Sequence, residues 1–287
     1  MLIVPRLRQW LRNSIRQSRT RRRESRDAAS SFIARHKLGY PERLEDRTLL
    51  TTFSVTSFNP SGPGTLLEAI NSANNSPGLD VIEFDSSLAG RTFQFRDGTV
   101  DITDDLIING LGADQTTILD DPNGKSRHFN ITGADTEVTI NDLRLTGGNG
   151  DTTSGLGGGS IYLAGRSLTV NRTLFDNNST TRNGGAIFVS ENSSLSIHSS
   201  TFANNSAEGT DPAGFGGAVD VSGTLYVTNS TFSGNRADES GGALSILGGT
   251  ATIINSTITG NHSNDDGSGG SGTGGGIDTR LRSQRQR

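Results

Sequence analysis

GGSIYLAGRSLTVNRTLFDNN (Gly158–Asn178), GGAIFVSENSSLSIHSSTFANN (Gly184–Asn205), GGAVDVSGTLYVTNSTFSGN (Gly216–Asn235) and GGALSILGGTATIINSTITGN (Gly241–Asn261) are four versions of one pattern. Superimposed, they put Ile161, Ile187, Val219 and Leu244 in one column, with Leu163, Val189, Val221 and Ile246 two residues on. A second pair of columns follows: Leu168, Leu195, Leu225 and Ala251, then Val170, Ile197, Val227 and Ile253. Phe175, Phe202, Phe232 and Ile258 come five residues later, and Asn178, Asn205, Asn235 and Asn261 each stand three residues beyond them.

A spacing of two is the period of a strand that buries one face. Two such strands per copy, with one copy per coil, predict an all-β fold: a right-handed parallel β-helix solenoid over residues 51–279. No copy holds a 3.6-residue period long enough for a helical repeat, and no Leu-x-x-Leu-x-Leu frame recurs. Stacked apolar columns give a continuous core about one side chain deep, in which each buried Ile, Leu or Phe contributes roughly 1.5 to 3 kcal/mol before entropy is subtracted. The pairs Gly158-Gly159, Gly184-Gly185, Gly216-Gly217 and Gly241-Gly242 suit turns that need positive φ or a close approach between coils. The Asn column suits an inward-facing amide ladder at a turn.

The intervals show where a coil can bulge. From the first Gly of each pair to the aromatic position the distance stays at 16 to 18 residues, whereas the stretch from there to the next pair ranges from 9 to 16. The large insertions, after Asn205 and after Asn261, therefore share one turn and line up along one edge, the expected place for a binding surface. The pattern continues upstream in weaker form through Val138, Ile140 and Leu145, and Leu106 with Ile108, Phe93 with Phe95, and Val81 with Phe84 read as earlier strands. The expected total is eight or nine coils. Ile277 begins another coil, but Thr279 and a run of Arg and Gln replace its apolar residues, so the solenoid is expected to stop mid-coil, with 280–287 as a basic tail.

Composition agrees with a thin, repeated core. Gly makes up 38 of 287 residues, hydrophobic residues only 31%, and there is no Cys. Such a chain fills no single large globular core. Residues 51–279 carry a net charge of −16, between a leader of +8 and a tail of +4. An acidic body argues against nucleic acid as a partner. The absence of Cys excludes disulfides, thiolate metal sites and a Cys nucleophile. No apolar stretch reaches the roughly 18 residues of a membrane-spanning helix, and the run Leu2-Ile3-Val4 stops at Pro5, short of a secretory h-region. Residues 1–50 are expected to be disordered or export-related. Leu7, Trp10, Leu11 and Ile15 stand at helical spacing among arginines, which also fits a segment lying on an anionic membrane.

Solenoid ends expose core and strand edges, so a cap is expected. Thr65-Leu66-Leu67-Glu68 reads as a capping box, Thr65 as N-cap and Glu68 at N3, opening a short helix over 65–75 that plugs the amino-terminal end.

SGPGTLLEAINSANNSPGLDVIEF (Ser61–Phe84) resembles the opening segment of bacterial β-helix surface proteins. GGAIFV, GGAVDV and GGALSI, paired with FDNN, FANN and FSGN, resemble the GGA and FxxN repeats of the polymorphic outer membrane protein (Pmp) family. The resemblance spans roughly residues 53–278. It implies display at the cell surface, outer-membrane association and adhesion. The sequence departs from full-length members after Ile277, where no further β-helix, membrane β-barrel or sorting segment follows, so a truncated fragment of a larger surface protein is the competing expectation. Leu44-Glu45-Asp46-Arg47-Thr48-Leu49-Leu50 resembles an LExRxLL element that follows Arg-rich leaders in exported repeat proteins, which implies export.

Reactive groups do not recur in register. Glycoside hydrolysis needs two carboxylates across a cleft, and lyase chemistry needs a base beside calcium-binding acids. The body holds one lysine, Lys125, and its histidines, His128, His198 and His262, occupy unrelated positions in their coils. Asp104-Asp105 and Asp120-Asp121 adjoin strand ends, where Asp is an ordinary turn residue. Gly124-Lys125-Ser126-Arg127-His128 lacks P-loop spacing and reads as a turn leading into a strand. Asn264-Asp265-Asp266-Gly267 lacks the frame of a calcium loop and reads as a solvated insertion. The expectation is a non-catalytic exported or surface-displayed protein with no cofactor and no metal, binding glycan, protein or itself along the insertion edge. A polysaccharide-active lyase or hydrolase is the alternative.

The register makes a direct prediction. Phe202→Asp puts a charge into the core column and should unfold the neighbouring coils, whereas deletion of residues 208–212 should leave the circular dichroism spectrum nearly unchanged. The reverse outcome would refute the register.

Overall fold

The computed structural model describes residues 50–95, 98–120, 126–150, 157–209, 214–263 and 274–280. The leader with its LExRxLL element before Leu50, Asp121, Gly124, Lys125, residues 210–213, the Asn264–Gly267 loop and residues 281–287 lie outside them. Every strand pairing is parallel, and the strands form four sheets that run along the axis. Sheet A has eight strands, from Thr51–Val55 through Ser167–Asn171 to Thr250–Ile254. Sheets B and C have seven each, and sheet D has four strands of two residues. The molecule is a parallel β-helix.

One coil runs through sheet C, sheet A, sheet B and sheet D, as in Ile161–Leu163, Ser167–Asn171, Leu174–Asp176 and Ser179–Thr180. Two strands per coil was therefore too few, because the Phe column sits in a strand of its own. The coil number is corrected by the same fact. Asp80–Phe84, Arg91–Phe95 and Val100–Ile102 are three sides of one turn of chain rather than separate coils, and about seven turns result.

The aligned columns are the hydrogen-bonded register. Ile161 pairs with Ile187, Leu168 with Leu195, and Phe175 with Phe202. The Phe column extends upstream through Leu145 and Ile118 to Phe93. Phe175, Phe202 and Phe232 are fully buried and stack, with ring centroids 4.7 and 4.9 Å apart and planes within 9°. That distance is the strand spacing of a parallel sheet, so the rings meet face to face only because the coils are in exact phase.

Corners between strands are made by left-handed residues. Asp142, Arg172, Ser199, Asn229 and Asn255 turn the chain from sheet A to sheet B, and Asn177, Asn204 and Gly234 turn it from sheet B to sheet D. The residue after each corner ties its coil to the next. Asn178 donates its backbone N–H and its Nδ2 to Asn205 Oδ1, Asn205 does the same to Asn235 Oδ1, and Asn235 to Asn261 Oδ1, all at 2.9 to 3.1 Å. Each amide also donates backwards to the carbonyl of the preceding Phe column: Asn205 to Phe175, Asn235 to Phe202 and Asn261 to Phe232. A parallel ladder of hydroxyls, unforeseen in the sequence, holds the other corner. Thr173 N–H donates to Ser200 Oγ, Ser200 N–H to Ser230 Oγ and Ser230 N–H to Ser256 Oγ.

The two glycines of each pair divide the work foreseen for them. Gly184 has φ of +72°, and a Cβ on Gly185 would lie 2.0 Å from the carbonyl oxygen of Gly217. Positive φ belongs to the first glycine and contact with the next coil to the second. The same holds for Gly158-Gly159, Gly216-Gly217 and Gly241-Gly242.

The helix spans Leu66–Asn74, capped by Thr65, whose side chain accepts from Glu68 N–H at 3.3 Å. Glu68 reaches back one residue further than a capping box requires, to Gly64 N–H. Leu66, Ala69, Ile70 and Ala73 are buried, and Asn74 clamps the first strand of sheet C by donating to Asp101 C=O and accepting from Thr103 N–H. That side-chain amide satisfies backbone groups on a sheet edge.

Asn205→Leu removes the acceptor for two donors of Asn178 and withdraws one donor each from Phe175 C=O and from Asn235 Oδ1, which keeps the backbone N–H of residue 205. At about 1 to 3 kcal/mol for each of the two stranded donors, a loss of at least about 2 kcal/mol is expected in urea denaturation. Gly185→Ala should be comparably harmful, since the obstructing atom is backbone. An unchanged midpoint for both would contradict this packing.

Candidate functional site: a polar node inside sheet C and an aromatic strip outside it

Residues with chemistry in them gather on both sides of sheet C. Asp120, which ends the sheet B strand Thr116–Asp120, is buried, as are Ser126, Arg127 and His128 just before the sheet C strand Phe129–Ile131. Ser126 Oγ donates to Asp120 at 2.8 Å. His128 Nε2 faces Thr146 C=O at 3.2 Å, and Nδ1 faces Ser160 Oγ at 2.9 Å. A carbonyl only accepts, so Nε2 carries the proton and Nδ1 accepts the Ser160 hydroxyl. The pairing has the atoms of a Ser–His dyad, but both residues are fully buried and no substrate reaches them.

The node exists because two columns change residue there. Gly148 stands in the Asn column, three residues after Leu145, and Ser160 stands where Ala186, Ala218 and Ala243 follow the other glycine pairs. A Cβ on Gly148 would fall 2.9 Å from His128 Nδ1. Removing the amide makes room for the imidazole, and the added hydroxyl satisfies it. That coincidence of departures was visible in the sequence, where residues 124–128 were read only as a turn. For residues 126–128 the turn does lead into a strand.

Arg127 crosses to the outer face. Nε donates to Gly158 C=O at 3.0 Å, one terminal NH2 to Asn130 Oδ1 at 2.9 Å, and the other reaches Gly150 C=O at 3.4 Å. Its guanidinium carbon lies 5.7 Å from the ring centre of Tyr162. Burial pulls its pKa below the usual value, with Tyr162 opposing. Tyr162 in turn stacks on Phe188 of the next coil, centroids 5.7 Å apart and planes 9° apart. Both rings are half-buried on the outside of the sheet, in a column that runs Asp101, Asn130, Tyr162, Phe188, Asp220, Ser245, Asp278. Asn130 donates to Asp101 at 2.9 Å. Two adjacent aromatics at outward positions are the signal that the sequence reading passed over.

Beside Phe188 lies a shallow cleft of about 380 Å³, lined by Phe188, Ser190, Glu191, Asn192, Ser193 and Ser222 among others. It arises from unequal turns. Between sheets C and A the chain spends four residues, Ser190–Ser193, in one coil and two, Ser222–Gly223, in the next, so the longer turn overhangs the shorter. The insertion edge lies at the other end of the same strands, between sheets D and C. There Arg127 ties Gly150 to Gly158, and Phe215 is held by Asn183 through its N–H.

Several of the remaining ionisable groups bond between coils. Asp104 accepts from Gly78 N–H, Asp105 from Glu137 N–H, Asp176 receives Arg144 and Asp142 receives Arg172. Hydrogen bonds to those carboxylates raise the pKa of both arginines. His198 bonds Thr228 on sheet A, and His262 lies in sheet D, far from His128 in the column scheme. The repeat positions Gly158, Gly184, Gly216, Gly241, Phe175, Phe202, Phe232, Asn178, Asn205 and Asn235 all serve the corners and core described above, while Ile258 and Asn261 lie in the last coil. No helix among the described residues is long and apolar enough to cross a membrane, which says nothing of β-barrels.

Burial moves His128 from 6.5 to about 4. Between those values the unfolded chain binds a proton that the native chain refuses, so stability is full above pH 6.5 and falls as pH drops to 4. The loss expected is about 3 kcal/mol. His128→Gln should flatten the stability profile over that interval; a wild-type profile that is flat there would contradict the buried neutral imidazole.

Comparison with known proteins places these repeats. The family model of the Chlamydia polymorphic membrane protein repeat matches residues 172–190 and 229–246. Each match covers two left-handed corners, the Phe and Asn columns, the glycine pair and all or most of the strand of sheet C that follows it. Among curated proteins, the chain is similar to a probable autotransporter, YfaL of Escherichia coli (strain K12), at 38% identity over 112 residues. The alignment takes in 33% of this chain and 9% of that protein, so the chain corresponds to a small part of its relative. No solved structure gives a significant match. Register and corners make the chain a parallel β-helix, and two stretches of its repeats are similar to the Pmp repeat.

Proposed function

We propose that the chain is the surface-exposed, non-catalytic β-helix of an outer-membrane-associated protein, and that it binds a glycan or protein ligand through the outer strip of sheet C. The observation that carries this reading is a division between inside and outside. Buried polar groups, from His128 to the Asn ladder, bond one coil to the next, whereas Tyr162, Phe188 and the cleft beside them face outward. The strip lies between the cleft at one end of its strands and the insertion turns at the other. Aromatic rings with neighbouring hydroxyl, amide and carboxylate groups give contact area at low entropic cost, with adaptable hydrogen bonds around it. The similarity to a probable autotransporter supports display at the surface.

The test is binding of the purified chain to a glycan array and to immobilised extracellular-matrix proteins. Retention on a ligand should fall at least tenfold for Phe188→Ala and for Glu191→Gln, with unchanged circular dichroism. Cleavage of acidic polysaccharides, abolished by one Asp or Arg substitution, would instead establish the enzyme alternative.

A further inference from the structure

The Asn and Ser ladders bond coil to coil, but the polar side chains around the cleft beside Phe188 are differently employed. The turn Ser190–Ser193 closes on itself, Ser193 N–H donating to Ser190 C=O at 3.1 Å, and Ser193 Oγ fixes it to the coil before by donating to Gly165 C=O at 2.7 Å. It is a hydrogen-bonded β-turn with Glu191 and Asn192 at its exposed centre. In the next coil Ser222 N–H donates to Val189 C=O at 2.9 Å. These backbone bonds hold the cleft in shape. Ser190 Oγ, Ser222 Oγ and the Asn192 amide line it and bond to none of the described residues. The result is two hydroxyls and one amide, set on turns whose own bonds are already made, beside the half-buried ring of Phe188.

That set defines the chemistry of an occupant. A sugar ring carries hydroxyls at its rim and C–H bonds on its face. Hydroxyl and amide groups both donate and accept, so they answer the rim, and an aromatic ring answers the face. A protein anchor side chain asks for a deep, desolvated pocket, whereas this cleft is shallow, with Phe188 and Ala164 as its apolar wall. Charge narrows the class further. Glu191 brings a carboxylate to the turn, and Asp220 follows Phe188 in the outward column. The cations near by are engaged or displaced. Arg127 is buried and donates to Gly158, Asn130 and Gly150, while Arg166, in the corresponding turn one coil earlier, is bridged to Glu137 at 3.0 Å. Arg182 stands at the other end of the strand, on the insertion edge. An acidic sugar entering the cleft loses water from its carboxylate and meets a like charge instead of a partner.

We propose that the cleft is a subsite for one uncharged sugar residue of a glycan, and that Glu191 sets its preference against acidic sugars. The inference rests on the reading of the sheet C strip as a ligand-binding face and names the class of ligand. Phe188 supplies the packing surface, Ser190, Asn192 and Ser222 the hydrogen bonds, and Glu191 an acceptor for a sugar hydroxyl that also repels carboxylates.

The experiment presents the full chain to immobilised neutral gluco- and galacto-oligosaccharides, an oligogalacturonate and a chitosan oligomer. Retention on a neutral probe and none on the oligogalacturonate is expected. Asn192→Ala and Ser222→Ala should each weaken that retention about fivefold, the loss of one hydrogen bond, with unchanged circular dichroism. Glu191→Lys should bring the oligogalacturonate among the bound probes. Tighter retention of the unaltered chain on the oligogalacturonate or the chitosan oligomer than on every neutral probe would overturn the inference, as would full neutral binding by the Asn192→Ala/Ser222→Ala double variant. A protein ligand held through Phe188, with no glycan retained, would overturn it while leaving the strip as the binding face. Ligand binding indifferent to Phe188→Ala would overturn both.

Discussion

Everything in this solenoid depends on bonds that run along its axis through a core only one side chain thick. A globular domain of this size surrounds buried groups on all sides; here each residue meets its counterparts one coil before and one coil after. The amide of Asn205 is therefore not decoration at a turn. It accepts two hydrogen bonds from Asn178 and gives two, to Phe175 and Asn235, so all the capacity of one side chain is spent on phase. A slip of one residue would leave those groups buried and unbonded, and would separate the stacked rings of Phe175, Phe202 and Phe232.

The corners follow from the same requirement. Strands of three to five residues must bend sharply and still return in register, which is achieved with single left-handed residues. Arg172 and Ser199 adopt that conformation at a cost of about 1 to 2 kcal/mol each, and the ladder residue beside each of them repays it with cross-coil bonds. At the glycine pairs no such bargain exists for the second residue, because a methyl group would enter the carbonyl of the next coil.

Much of this was legible in the sequence. The columns from Gly158 to Asn261 predicted the pairing residue by residue, and Thr65 and Glu68 marked the helix. Coil number was less accessible, since Phe93 and Ile118 continue the Phe column without the Asn or glycine signals that mark later copies. The buried node at His128 was hidden for a different reason. Repeats draw the eye to what recurs, whereas the node is written in what departs: Gly148 for Asn and Ser160 for Ala. The Tyr162–Phe188 strip was missed likewise, because alternation marks a residue as outward without saying what it stacks on. Repeats specify the scaffold, and departures from them specify where it differs locally.

The central claim is the register, and the absence of cysteine makes it directly measurable. Thr169 and Ser196 face outward on adjacent strands of sheet A as register partners, with Tyr226 one strand further. Neighbouring strands lie about 4.8 Å apart, within reach of a disulfide, and second neighbours do not. Oxidation of Thr169→Cys/Ser196→Cys should give a crosslinked chain with an unchanged circular dichroism spectrum, while Thr169→Cys/Tyr226→Cys should remain reduced. Efficient crosslinking of Thr169→Cys/Ile197→Cys, which requires a one-residue slip, would contradict the account.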